Sequence, residues 1–248
     1  MFKRLIVPVV SVATMFAFSP FVLAQSVPQS APAKVKTIAS TPDFTGVWQG
    51  EGTPEHRYTF SKEPPPMQPW AEQLFTYNRF SSDPNFRGRD ELDPIKNCSP
   101  PGPTRLLFSP YPFEIFQVPG RVLIRYEWDH WVREIWTDGS DHPKDLAPTW
   151  MGHSIGKWDG DTLVVDTIGL NDRTWLDEAG HVHSDAMHIV ERWRRVDHDT
   201  IQINFTFDDP KAYTKLWTGE KSIKLHPKWH VAEDVVCEDR LRSPNLSP

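Results

Sequence analysis

The 248-residue chain holds only two cysteines and thirteen glycines, and past its first 24 residues it has no long apolar run. Each shortage removes a class of protein. Neither Cys98 nor Cys237 sits beside a histidine, which counts against a catalytic thiol. No later segment approaches the roughly 18 apolar residues that a membrane-spanning helix needs. No Gly-rich phosphate loop, His-Glu-x-x-His or Gly-x-Ser-x-Gly occurs, and Gly152-His153-Ser154 is only a fragment of the last. Serine hydrolase chemistry is therefore disfavoured. Strand–helix alternation is also missing, which excludes a nicotinamide or flavin fold.

What the chain does have is proline and tryptophan. Twenty-four Pro forbid long helices, because each internal Pro removes a donor and clashes with the preceding turn. Eleven Trp against five Tyr suit a β-structure with flat apolar surfaces. Hydrophobic residues at 38% and charged residues at 24% exclude disorder, collagen and coiled coil. Met1-Phe2-Lys3-Arg4, the apolar Leu5–Leu23 and the small-x-small Val22-Leu23-Ala24 predict a signal peptide over 1–24, the alternative being an uncleaved anchor. The expected location is periplasmic or secreted. Losing Lys3 and Arg4 takes two from 27 basic residues against 33 acidic ones, an acidic balance that argues against nucleic acid. In an oxidising compartment Cys98 and Cys237 are expected to pair, with two free buried thiols as the alternative.

Residues 25–42 read as a flexible leader, 43–240 as one domain and 241–248 as a tail. Trp70–Phe80 predicts one short amphipathic helix. From Phe113 onward the pattern is strands and short turns, with a last pair expected at 213–225 and 228–237. Eight to ten antiparallel strands and no crossover helix predict an up-and-down barrel or a sandwich with long Pro-rich loops. Two hairpins share an Asp-x-Asp-Thr turn, at Asp159–Thr162 and Asp197–Thr200. In the second, a three-residue loop pairs Trp193 with Ile203, Ile189 with Phe207, Arg192 with Asn204 and His188 with Asp208, so like faces like. Glu191 then lies on the apolar face with Trp193 and Phe205. The same loop in the first hairpin puts His153 with Ile155, Leu163, Val165 and Thr167, also inside.

The run Gly152-His153-Ser154-Ile155-Gly156-Lys157-Trp158-Asp159-Gly160-Asp161-Thr162-Leu163-Val164-Val165-Asp166-Thr167, with Glu191-Arg192-Trp193-Arg194-Arg195 and Asp208-Asp209-Pro210, resembles a large family of exported bacterial proteins of unassigned function. Pro42–Trp48 fits it as well. The likeness covers roughly 42–240 and implies a lipocalin-like β-barrel, but no activity. In that family Cys-His-Glu-Gly-Asn stands near the C-terminus, whereas here Glu238-Asp239-Arg240 follows Cys237.

Two ionisable groups on interior faces are the strongest chemical signal, since burying either unpaired costs several kcal/mol. His153 and Glu191 are candidates for proton transfer, Arg133 for a substrate carboxylate or oxyanion, and Tyr126 for a phenolic donor. The alternative is a structural network in which Glu191 pairs with an Arg and His153 with Thr167. Trp150, Trp175, Trp128 and His183 are candidate ligand contacts, while Trp158 and Trp193 read as core. His181, His183 and His188 invite a metal reading, the bland alternative being loop histidines. Three functions follow. The first is a cofactor-free lyase, isomerase or hydrolase acting on a small sugar-like or aromatic substrate in the barrel. The second is a non-catalytic binder of a small apolar or aromatic ligand, and the third is a metal-dependent enzyme.

Overall fold

Nine strands close on themselves in chain order in the computed structural model, which describes residues 41–52, 56–79, 86–233 and 236–242. They are β1 (Gly46–Glu51), β2 (Phe113–Val118), β3 (Arg121–Tyr126), β4 (Val132–Trp136), β5 (His153–Asp159), β6 (Thr162–Ile168), β7 (His188–Asp197), β8 (Thr200–Asp208) and β9 (Trp217–Leu225). β9 returns to β1, so among the described residues no edge strand is left. The all-β barrel follows the sequence expectation. The signal peptide over 1–24 and most of the leader and tail lie outside the described residues.

One expectation of the strand order fails. Alternating directions around a closed ring require an even number of strands, and nine force one neighbouring pair to run the same way. That pair is β4 and β5, joined only at Ile135↔Ser154 and Trp136↔Ile155. Segment 137–152 returns the chain along the outside, with Thr149 bridged to Leu170. Gly156 lets the seam close, because a Cβ there would meet Ile135 Cγ2 at 2.9 Å and Thr137 Cγ2 at 3.0 Å. The seam is thin in backbone bonds.

The tight turns 119–120, 160–161 and 198–199 gather at one end of the barrel. Long connections cover the other end, including α1 (Pro69–Tyr77), which starts on Pro as helices favour. Phe80 is outside the described residues. The inner faces are filled by large side chains, among them Trp48, Trp193, Phe113, Phe205 and Phe207, each with at most 1% exposure. Among the described residues of 228–237 no strand forms, and Cys237 opens a short helix, α2 (Cys237–Arg242). The Cys98–Cys237 disulfide is formed, with Cα atoms 5.4 Å apart.

Both similar hairpins turn through two residues, since Asp159 pairs with Thr162 and Asp197 with Thr200. They differ just beyond the turn. In β7–β8 a bulge between Arg195 and Asp197 adds a residue, giving the predicted pairs Ile189↔Phe207, Arg192↔Asn204 and Trp193↔Ile203. In β5–β6 there is no bulge, and the pairs are Ser154↔Thr167, Gly156↔Val165 and Trp158↔Leu163. Gly160 has φ +63°, the left-handed conformation that a two-residue hairpin turn wants. His198 does not adopt it, and its turn is accommodated by the extra residue instead. The predicted register of the first hairpin is thus off by one: Leu163, Val165 and Thr167 of β6 face inward as expected, but the side chains of β5 are reversed. Ser154 points inward, and His153 lies on the outer wall.

Candidate functional site at the capped end

Glu191 faces inward from β7 with no exposure, as its register predicts, and the arginine opposite it is Arg133 of β4, at 1%. Arg133 Nη1 donates to Glu191 Oε2 (3.0 Å) and Nη2 donates to Oε1. Nη2 also reaches Thr167 Oγ1 (3.1 Å) and Ser154 Oγ (3.3 Å), while Trp193 Nε1 donates to Glu191 Oε2 (2.8 Å). The guanidinium therefore ties β4 to β5, β6 and β7 across the thin parallel seam. Burial works against the Arg133 charge, but the Glu191 charge and hydrogen bonds outweigh it and raise the guanidinium above its ordinary value. Both Glu191 oxygens are occupied by N–H donors, which leaves it poorly disposed as a base.

Tyr126 and Trp131 stand beside this pair. The Tyr126 amide donates to Trp131 O (2.8 Å), and Ile124 pairs with Arg133. Alternation from those pairs puts Tyr126, Trp131 and Arg133 at neighbouring positions of one inner face, within side-chain reach of each other. Tyr126 Oη, Trp131 Nε1 and Arg133 Nε are all buried with no hydrogen-bond partner among the described residues. Burial pushes the Tyr126 phenol far above its ordinary value, with Arg133 opposing and Glu191 assisting, so it remains a donor. Three donors without an acceptor are unusual, because each such buried group costs about 1–3 kcal/mol.

Trp128 belongs to the same turn, in the short 3-10 stretch Trp128–His130 between β3 and β4. It lines a cavity of about 290 Å³ together with Tyr111, Arg105, Ile95, Pro101 and Glu178. The Tyr111 and Trp128 rings lie 5.1 Å apart. Arg105, 5% exposed, is held by Asp93 through Nε (3.1 Å) and Nη2 (2.8 Å). The disulfide fixes this wall as well. It ties the segment after Ile95 to Cys237, whose amide donates to Asp129 Oδ1 (2.9 Å) next to Trp128.

The remaining candidates scatter. His153 is on the outer wall, sharing an Nδ1–Nδ1 hydrogen bond of 2.8 Å with His142, whose Nε2 donates to Asp166 Oδ1 (3.1 Å). Burial and then the His142 charge lower the His153 pKa, with Glu134 opposing. The expected Thr167 partnership belongs to Ser154 instead, at 2.8 Å. Trp175 is 6% exposed and packed under the cap, not on a rim, with its ring where a Cβ on Gly88 would stand. Trp150 is half-buried, with the Arg173 guanidinium 5.9 Å from its ring centre.

The three metal candidates do not share a site. His181 donates through Nδ1 to Asp177 (2.7 Å) and stacks on Phe75. His183 is buried, with Nδ1 donating to Ser184 O (3.0 Å) and Nε2 accepting from Thr174 Oγ1 (2.7 Å). It is a strut rather than a ligand contact, and burial lowers its pKa. His188 sits on the outer wall, 3.0 Å from Asp166 Oδ1. Among the described residues no group of three or more His, Cys, Asp or Glu could hold a metal ion.

Sequence reasoning missed Ser154 and Arg105. Ser154 was legible from Gly160, whose turn sets the register. Arg105 lies in an irregular segment that carries no periodic signal. No helix among the described residues is long and apolar enough to cross a membrane. No protein-family model matches the chain, and no curated protein is similar to it.

Proposed function

We propose that this chain is an exported binding protein for a small ring compound carrying an acceptor oxygen, held at the capped end of the barrel. The observation that carries this reading is the row of unpartnered donors, Tyr126 Oη, Trp131 Nε1 and Arg133 Nε, on one inner face. Donors of this kind recognise a carboxylate or carbonyl oxygen, and in an apolar wall they reject ligands that lack one. Trp128 of the same β3–β4 turn, with Tyr111, lines the 290 Å³ cavity and offers aromatic surface for the ring. An acid–base enzyme built on His153 and Glu191 is less well supported, because the barrel wall separates them and donors occupy Glu191. A binder needs neither group free.

Calorimetric titration of the mature protein with benzoate and with benzylamine tests the reading. Benzoate is expected to bind and benzylamine, which has no acceptor oxygen, is not. Tyr126→Phe is expected to weaken benzoate about five- to tenfold, the worth of one buried hydrogen bond. Equal binding of both compounds, or an unchanged affinity in Tyr126→Phe, would overturn it.

A further inference from the structure

The inner face of β9 runs Trp217, Gly219, Lys221, Ile223, and the third of these is a lysine with 5% exposure. Buried lysines are ordinarily paired with a carboxylate. Lys221 has none within ion-pair distance among the described residues. Its ammonium instead lies 3.8 Å above the centre of the Phe108 ring. Phe60 packs against Phe108 and Phe205 on the same side, so the amine is set in an aromatic wall. On the neighbouring strand Gly50 admits the Leu107 carbonyl, since a Cβ there would stand only 2.1 Å from Leu107 O, and Lys221 Cε passes 3.5 Å from the same point.

Four more distant charges act on the amine. Glu178 and Asp177 favour its charged form, Arg105 and Arg57 oppose it, and burial outweighs them all, bringing the ammonium down to about 8. Two of these residues, Arg105 and Glu178, also line the 290 Å³ cavity at the capped end. A lysine desolvated in an apolar wall, with no carboxylate at ion-pair distance, is a setting in which an amine becomes a nucleophile near neutral pH.

We infer that Lys221 is a covalent capture site for small aldehydes or ketones, which it binds reversibly as an imine. The neutral Nζ lone pair attacks the carbonyl carbon as the C=O π pair moves to oxygen. A proton passes from nitrogen to that oxygen, giving a carbinolamine. Loss of the hydroxyl as water, with the second nitrogen proton, leaves the C=N bond. No oxidant or reductant is consumed, and water reverses the step. The aromatic wall favours an aryl carbonyl compound. This site uses a different strand from the donors of the β3–β4 turn, so either proposal can fail alone.

Benzaldehyde with cyanoborohydride, followed by peptide mapping of the disulfide-intact protein, reads the imine as a fixed benzyl group. At pH 7.5 an amine titrating near 8 has a neutral fraction on the order of a hundredfold larger than an ordinary lysine. Lys221 is therefore expected to label before the exposed Lys144 and Lys157, with a rate that levels off above about pH 8. Lys221→Met is expected to stay folded by circular dichroism and lose only this fast label. Slower labelling of Lys221 than of Lys144 and Lys157 across pH 7–10 would overturn the inference, as would a rate that rises through the whole range. Failure of benzoate to bind would leave this labelling result unaffected.

Discussion

The β5–β6 and β7–β8 hairpins carry nearly the same turn, yet one sets its ionisable residue on the outer wall and the other buries its own inside. Asp159-Gly160-Asp161-Thr162 and Asp197-His198-Asp199-Thr200 both close through two residues. Gly160 takes the left-handed conformation, His198 does not, and the second hairpin absorbs the difference as a bulge. One inserted residue reverses the faces beyond it. His153 is left outside with His142 and Asp166, while Glu191 is carried inside to Arg133. A turn motif specifies its own geometry, but the register of the strands it joins depends on a single backbone angle.

The largest test of this contrast is to remove one ionisable group from each hairpin. Glu191→Gln leaves the buried Arg133 charge uncompensated and is expected to cost about 3–5 kcal/mol in chemical denaturation. His153→Ala, on the outer wall, is expected to cost under about 1 kcal/mol. If the two costs were reversed, the assigned faces would be wrong. Reducing the disulfide is next in size, at roughly 2–5 kcal/mol. It should loosen the capped end around Cys98 and Trp128, and amide exchange should leave both hairpins protected.

Smaller effects sharpen the account of the turns. Gly160→Ala has open space for its methyl group, so its expected cost of about 1–2 kcal/mol is purely that of the left-handed backbone. His198→Ala should change stability by less than about 0.5 kcal/mol. Equal effects at both positions would deny that the two turns differ. The smallest effect concerns His183, in the connection between the two hairpins. Its folded pKa lies below its unfolded value, so on acidification the unfolded chain takes up the proton first. Stability is therefore full above about pH 6.5, the ordinary imidazole value, and declines as pH falls below it. His183→Asn should flatten that decline in melting curves taken between about pH 7 and 5. An unchanged slope would mean that other groups set it.

Much of the barrel was legible, and its failures have physical causes. Strand positions, the inward Glu191 and the β7–β8 register followed from apolar side chains that must meet across the ladder. His153 was misplaced because the same loop length was carried to a turn containing Gly160. The parallel seam was hidden, since segment 137–152 has no period to show that it returns along the outside. The last expected strand failed because the alternation of Trp229 and Val231 is broken by Glu233-Asp234 before Val235-Val236, so 228–237 has no continuous apolar face. Lys221 was visible in the alternation of Trp217, Gly219 and Ile223, where it takes an interior place. The unpartnered donors required the structure, because Trp131 joins Tyr126 and Arg133 only through the pairing of β3 with β4.

The indole and guanidinium N–H resonances test the binding claim most directly, because Trp131 and Trp193 differ in one respect. Trp193 Nε1 already donates to Glu191, whereas Trp131 Nε1 has no partner among the described residues. In a benzoate titration followed by nitrogen–proton spectra, the Trp131 Nε1 and Arg133 Nε protons should move downfield together while Trp193 stays in place. Movement of Trp193 with Trp131 unmoved, or no movement of either donor at saturating benzoate, would contradict the account.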